Sequence, residues 1–201
     1  MGITRRTAVL GGAALVGGAV GATVATRLAP WRGAMDGVRL TDATPAGWLN
    51  DASSLSATPV RRHLVIGETG EAALTRLRAA LTQAQAEGRP LALSAARHSM
   101  GGQAIPRDGT AITWDAAAIE IDSAARTARV PSGARWRDVI AAADPLGLSP
   151  AVMQSNNDFG VGATFAVNAH GWPVPFGPMG ASVREIDLML ADGSVVTASR
   201  E

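Results

Sequence analysis

Apolar residues between positions 63 and 94 follow two different spacings. Four of them recur at the spacing of one helix face: Leu74, Leu77, Leu81 and Ala84. Thr69 is suited to cap this helix, and residues 88–90, Gly-Arg-Pro, are suited to end it. Short apolar runs bounded by turn residues precede and follow it, at 63–66 and 91–94. The pattern therefore predicts a strand, a helix and a strand in succession.

Strands outnumber helices in the second half of the chain. Apolar or alternating runs predict a strand at 111–114, a hairpin of 119–121 with 127–130, and a closing hairpin of 185–190 with 195–197. Trp136, Val139, Ile140 and Ala143 predict a second amphipathic helix. Residues 31–58 show no sustained period and are interpreted as a linker and an irregular lead-in. The predicted fold class is α+β.

The first 30 residues form a separate segment. Arg5 and Arg6 precede an uncharged run of Ala, Gly and Val that reaches Thr26, a pattern that resembles a twin-arginine export signal. We expect export to the periplasm or the cell exterior, and a retained N-terminal membrane anchor is the alternative. The expected organisation is a signal or anchor at 1–30, a linker at 31–57 and one domain at 58–201.

Composition excludes several classes of function. The 47% hydrophobic content suffices for a packed core. All 18 basic residues are arginines without clustering, so a nucleic-acid partner is not expected. The chain has no cysteine, which excludes thiolate metal sites and cysteine nucleophiles, and its three histidines lack metal-ligand spacing. We therefore expect no metal.

Two glycine-rich segments, 95–105 and 156–171, have a composition that packing alone does not explain, and each contains one histidine. In the first, Gly101 and Gly102 allow main-chain N–H groups to approach a ligand closely, which suits a pyrophosphate, and Arg97 is available beside them. The segment leads to a strand, so it does not match the dinucleotide fingerprint of the Rossmann fold, and without lysine it is not a P-loop. Ser155, Asp158 and His170 lack the glycines of a nucleophile elbow, so we do not interpret them as a hydrolase triad.

Residues 97–104 resemble the covalent-flavin loop of the vanillyl-alcohol oxidase/p-cresol methylhydroxylase (PCMH) superfamily, nearest to cytokinin dehydrogenases and alditol oxidases. Three further segments resemble those of the family in the same order: 130–136, 160–171 and 183–196. The resemblance covers about residues 58–201 and implies the two-subdomain PCMH-type FAD-binding fold. It also implies that this fold is incomplete at the C-terminus and that the substrate domain is absent.

The resemblance assigns FAD contacts to both glycine-rich segments. From the first segment they are Ala95, Ala96, Arg97, His98, Ser99, Met100, Gly101, Gly102 and Gln103. From the second they are Asn156, Asp158, Gly160, Val161, Gly162, Thr164, Asn168 and His170, and the closing hairpin adds Ile186. His170 is open between a place near the flavin and a place in the core. Ala163 departs from the family, whose members commonly carry a glycine there.

His98 matches the position that many relatives bond to the 8α-methyl carbon of the flavin, and the alternative is a hydrogen bond within the loop. The implied activity is flavin-dependent oxidation of an alcohol or amine by hydride transfer, with a small-molecule substrate in the full-length protein. We expect little activity from these 201 residues alone and assign no catalytic residue. The competing hypotheses are a non-catalytic exported module that binds FAD or another small ligand, and an inactive truncated fragment.

Overall fold

A computed structural model describes residues 44–169, 171 and 175–200. The predicted export signal and His170 lie outside these ranges, so both stay predictions. Within the described ranges, no helix combines the length and the apolar character needed to cross a membrane.

The folded part begins before residue 58, where we had predicted a linker. Strand β1, Trp48–Leu49, pairs antiparallel with β2, Thr58–Pro59. The buried side chain of Asp51 lies in the connection between them. Two-residue strands carry no detectable periodicity, which is why the pattern of apolar residues did not predict this pair. The part of the predicted linker that the structure describes therefore contains a paired strand, and the domain bounds stay a prediction.

The first subdomain is a parallel three-stranded sheet with one helix on it. Its elements in chain order are β3 (Arg62–Ile66), α1 (Gly70–Ala86), β4 (Leu91–Ser94) and β5 (Thr110–Trp114). The strand order is β3-β5-β4, so β5 lies between the two strands that α1 connects. Ile66, Ile112 and Leu77 form the core between sheet and helix. The predicted strand, helix and strand are confirmed.

Glycine ends α1 as the sequence predicted. Gly88 has a φ of +60°, a left-handed conformation that few other residues adopt readily. Its N–H donates to the Gln85 oxygen, and the Arg89 N–H donates to the Ala84 oxygen. These two bonds form a Schellman motif. Thr69 occupies the N-cap position, but its side chain makes no capping hydrogen bond.

The second subdomain contains two hairpins and two helices. The strands are β6 (Glu120–Asp122) with β7 (Thr127–Arg129), and β8 (Glu185–Met189) with β9 (Val195–Ser199). The helices are α2 (Trp136–Ala143) and α3 (Val161–Ala166). Trp136, Val139 and Met179 form the buried core. Both hairpins and α2 are confirmed, whereas α3 was missed because six residues rich in small side chains show no helical period.

Candidate functional site

The first glycine-rich segment begins at the carboxyl end of β4. The carboxyl ends of parallel strands lie on one edge of a sheet, which is where α/β proteins commonly bind ligands. At this edge Arg97 donates from Nη1 to the Thr113 hydroxyl at 2.6 Å and from Nε to the Asn50 backbone oxygen at 3.1 Å. Burial, followed by the charge of Arg135, lowers the pKa of Arg97. Arg97 therefore joins the segment to β5 and to the connection after β1.

Asp51 organises the turn of this segment. Its Oδ2 accepts the N–H of Gly101 at 3.1 Å, the N–H of Gly102 at 2.9 Å and the Ser99 hydroxyl at 3.3 Å. Its Oδ1 accepts the N–H and the hydroxyl of Ser53. Burial of the carboxyl group, with 4% of the residue exposed, opposes ionisation, but these hydrogen bonds outweigh it and hold the pKa well below its usual range. Asp51 is therefore a buried carboxylate with its hydrogen bonds satisfied.

This arrangement corrects the role predicted for the glycine pair. The N–H groups of Gly101 and Gly102 do face an anion, but the anion is the carboxylate of Asp51. Glycine is still required, because φ is +154° at Gly101 and +71° at Gly102. The pair binds a negative charge within the protein, so it is not a free cradle for a phosphate.

His98 connects the two subdomains. Its Nε2 is 2.7 Å from Oδ2 of Asp158, which belongs to the second glycine-rich segment. Its ring stacks on Phe159, with 4.5 Å between the ring centroids and 7° between the planes. The hydrogen bond and the stack together fix both the rotation and the plane of the imidazole.

Asp158 is the centre of a cluster of cations. Its Oδ1 accepts Arg135 Nη1 at 2.6 Å and Arg137 Nη1 at 2.8 Å. The hydrogen bond from His98 lowers the pKa of Asp158 most, burial opposes this, and Arg135 and Arg137 lower it further. Among the buried side-chain polar atoms that the structure describes, Nε of Arg135 has no hydrogen-bond partner. We call the place where residues 95–102 meet Arg135, Arg137 and residues 158–160 the junction. With Arg97 nearby, positive charge exceeds negative charge there.

The second segment packs directly on the first. A Cβ atom added at Gly160 would lie 2.6 Å from the Cβ of Ala95, so only glycine allows this approach. The N–H of Val161 donates to the Ala134 oxygen at 2.8 Å, and that of Gly162 donates to the Ser132 oxygen at 3.2 Å. Both N–H groups are therefore bonded within the protein.

Three of the residues predicted to contact FAD through polar groups also hold the local fold. Thr164 is fully buried, and its hydroxyl donates to the Gly160 oxygen at 2.8 Å and accepts Trp136 Nε1 at 3.0 Å. Asn168 has a φ of +49° and ends α3. The Asn156 side chain accepts the N–H of Asp158 at 2.9 Å. Thr164 and Asn168 therefore stabilise the local fold, and Asn156 orients Asp158.

The structure thus brings together only part of the predicted set. The residues that meet at the junction are Ala95, Arg97, His98, Ser99, Gly101, Gly102, Asp158 and Gly160. Ala96 is partly buried beside them, whereas Met100 and Gln103 are exposed. Ile186 lies in β8 opposite Ala198.

Sequence reasoning missed five residues of the junction: Asn50, Asp51, Arg135, Arg137 and Phe159. The adjacent Asn50 and Asp51 were a signal in principle, because side chains of this type organise turns through backbone N–H groups. In the described ranges no group of His, Asp and Glu is arranged to hold a metal ion.

Residues 74–199 match the family described as FAD binding domain, which is more than half of the chain. The chain belongs to this FAD binding domain family. The two-subdomain α+β fold of PCMH-type flavoproteins is thereby confirmed, and the cofactor of the family is FAD.

Individual relatives agree with this assignment. Alditol oxidase from Streptomyces sp. is 38% identical over 105 residues, which are 51% of this chain and 25% of that protein. The structure of 6-hydroxy-D-nicotine oxidase from Arthrobacter nicotinovorans matches with a TM-score of 0.61 at 23% identity, over 79% of this chain and 33% of the other. Glucooligosaccharide oxidase from Acremonium strictum, a 6-S-cysteinyl, 8α-N1-histidyl FAD enzyme, matches with a TM-score of 0.50 at 18% identity, over 71% of this chain and 29% of the other. This FAD binding domain therefore spans between a quarter and a third of the length of these relatives.

The junction fits the chemistry of FAD. The diphosphate of FAD is a dianion, and the junction offers the guanidinium groups of Arg97, Arg135 and Arg137 against the carboxylate of Asp158. The buried Nε of Arg135 is a charged donor still without an acceptor among the described residues. A bound anion would supply that acceptor.

Proposed function

We propose that the FAD diphosphate binds where residues 95–102 meet residues 158–160, held by Arg97 and Arg135, with the flavin ring beside His98. The observation that carries this proposal is the contact between the two glycine-rich segments, through Ala95 and Gly160 and through His98 and Asp158. The unpartnered Nε of Arg135 at the same junction supports it. Because the N–H groups of Gly101 and Gly102 are bonded to Asp51, the arginines rather than the glycine turn supply the positive charge.

We propose further that the activity is flavin-dependent oxidation of an alcohol. When bound, FAD supplies a two-electron acceptor at N5 for the hydride of the substrate. Alditol oxidase, the relative that is 38% identical over the aligned segment, is named for a polyhydroxy alcohol, which favours an alcohol over an amine. The described residues of this chain hold and orient the cofactor, and none of them is assigned as the catalytic base.

We also propose that His98 is bonded to the flavin. The glucooligosaccharide oxidase carries a histidyl and a cysteinyl link to its FAD. A cysteinyl link is excluded within these 201 residues, because they contain no cysteine. The imidazole of His98 is held in one orientation by Asp158 and Phe159, which suits a ring that has to meet one carbon of the cofactor.

Acid precipitation of the purified chain, followed by absorbance and in-gel fluorescence of the pellet, tests the link. We expect yellow wild-type protein whose flavin stays in the pellet, and a His98→Ala variant that loses it. His63→Ala is the matched control, because His63 is an exposed histidine that contacts Thr113 rather than Asp158. A colourless wild type that takes up no added FAD contradicts the proposed site. Acid-stable flavin in His98→Ala assigns the link to another residue.

A further inference from the structure

We propose that Asp158 positions His98 for flavin attachment by fixing its neutral ring with the proton on Nε2, so that Nδ1 is the nitrogen that forms the bond. This inference rests on the proposed covalent link. It assigns a task to Asp158 beyond lining the site.

The hydrogen bond between the two side chains selects the tautomer. A carboxylate can only accept, so the Nε2 atom 2.7 Å from Asp158 Oδ2 has to carry a hydrogen. In a neutral imidazole the other nitrogen then has the lone pair. Within the described residues, Nδ1 of His98 makes no hydrogen bond, so its lone pair is available.

Asp158 is itself held in place as an acceptor. Arg135 and Arg137 both donate to Oδ1, and the backbone N–H of Asp158 donates to the Asn156 side chain. These contacts leave Oδ2 for His98 and favour the ionised carboxyl group. The stack on Phe159 fixes the plane of the His98 ring, so the hydrogen bond and the stack together set the direction of the Nδ1 lone pair.

Attachment would also make use of the charge on Asp158. The reaction forms a bond from Nδ1 to the 8α carbon, breaks one C–H bond of that methyl group and releases its proton to solvent. The electron pair reduces the flavin ring, and dioxygen as oxidant removes it, forming hydrogen peroxide. The alkylated imidazole keeps its Nε2 proton and becomes a cation, which the carboxylate of Asp158 stabilises at hydrogen-bond distance.

Nitrogen NMR of the flavin-free chain tests the tautomer independently of any flavin chemistry. We expect the His98 nitrogens of the wild type, at a pH where the ring is neutral, to show a protonated Nε2 and an unprotonated Nδ1. In Asp158→Asn the amide oxygen should face the two arginine donors, so its NH₂ group faces Nε2 and should move the proton to Nδ1, whereas Asp158→Ala should give a mixture. Unchanged His63 signals would show that both variants are folded. A wild-type ring with the proton on Nδ1, or an unaffected ring in Asp158→Ala, overturns the assignment.

The rate at which added FAD becomes acid-stable tests the role in attachment. We expect Asp158→Asn and Asp158→Ala to be slower by about 10- to 100-fold, the effect that loss of the hydrogen-bond partner commonly has on a functional histidine that ligates a metal. Asp187→Asn is the matched control, because Asp187 is an exposed carboxylate paired with Arg129 away from the junction. Peptide mapping of the wild type should give the Nδ1-linked isomer, and an Nε2 link refutes the proposal.

The outcomes separate this inference from the proposal on which it rests. A wild type that binds FAD but never makes it acid-stable overturns covalent attachment, and the role of Asp158 in attachment with it. Acid-stable flavin that forms at the wild-type rate in both Asp158 variants overturns the role of Asp158 alone.

Discussion

Substitution of Asp51 by asparagine should destabilise the domain by loosening the glycine turn from within. One carboxylate oxygen accepts the N–H groups of Gly101 and Gly102, and the other accepts the N–H and hydroxyl of Ser53. An asparagine has one accepting oxygen and one donating NH₂ group. In either orientation of the amide, therefore, the NH₂ group faces at least one backbone N–H.

The size of the effect follows from the number of bonds lost. The less costly orientation keeps the carbonyl oxygen on Gly101 and Gly102 and places the NH₂ group against the N–H of Ser53. One backbone donor then loses a charged acceptor in a nearly buried place, which costs about 1 to 3 kcal/mol. Asp51→Ala removes both acceptors and should cost more.

The pH dependence gives a second test of the same reasoning. The folded-state pKa of Asp51 is depressed, so its stabilising contribution is present above the unfolded-state pKa of about 4 and is lost as the pH falls toward the folded-state pKa. Asparagine does not titrate. The difference in unfolding free energy between wild type and Asp51→Asn should therefore be constant near neutral pH and shrink below about pH 4.

Urea denaturation followed by tryptophan fluorescence measures both effects. Asp115→Asn is the matched control, since Asp115 is exposed and its carboxylate makes no hydrogen bond with another described residue. Equal unfolding free energies for Asp51→Asn and wild type at pH 7 would refute the role of Asp51. A difference that persists undiminished at pH 3 would show that the effect is not due to the ionised carboxylate.

Two further substitutions separate packing from cofactor binding. Gly160→Ala places a Cβ 2.6 Å from that of Ala95, so we expect the free energy of unfolding in urea to fall by about 1 to 3 kcal/mol and FAD to bind more weakly. Gly67→Ala is its control and should change little, because the nearest contact of the added Cβ is at 3.8 Å. Thr164→Val leaves Nε1 of the buried Trp136 without its acceptor and should cost about 1 to 3 kcal/mol, with FAD affinity in fluorescence titration unchanged. Thr75→Val on the exposed face of α1 is its control. A Thr164→Val variant that is as stable as the wild type but binds FAD more weakly would show that Thr164 contacts the cofactor.

The regular elements of the fold could be predicted because their signals are local. The face of α1 formed by Leu74, Leu77 and Ala84 was visible as a helical period, and the predicted position of Gly88 matches the observed helix end. The strand pair of Trp48–Leu49 with Thr58–Pro59 could not be found in this way, since it forms from residues whose pairing is decided by the fold.

The sequence predicted which segments form the site but not which side chains bond to one another within it. The sequence marked both glycine-rich segments, and the structure brings them into contact at Ala95 and Gly160. It could not show that Asp158 binds His98, because the two residues are 60 positions apart and their contact depends on how the subdomains pack. The resemblance to a flavoprotein family supplied the order of the segments, and the geometry then assigned partners to individual side chains.

The glycines of the two segments indicate close approach, but in both cases the approaching group belongs to the protein. Gly101 and Gly102 admit the carboxylate of Asp51, and Gly160 admits the methyl group of Ala95. A phosphate site built only on the glycine turn would have to displace a buried and fully bonded carboxylate. A site built on Arg97 and Arg135 leaves that carboxylate in place, and Nε of Arg135 lacks a partner in the described part of the chain. In the proposed site the arginines and His98 therefore bind FAD, and the glycines bring the two segments close enough to present them.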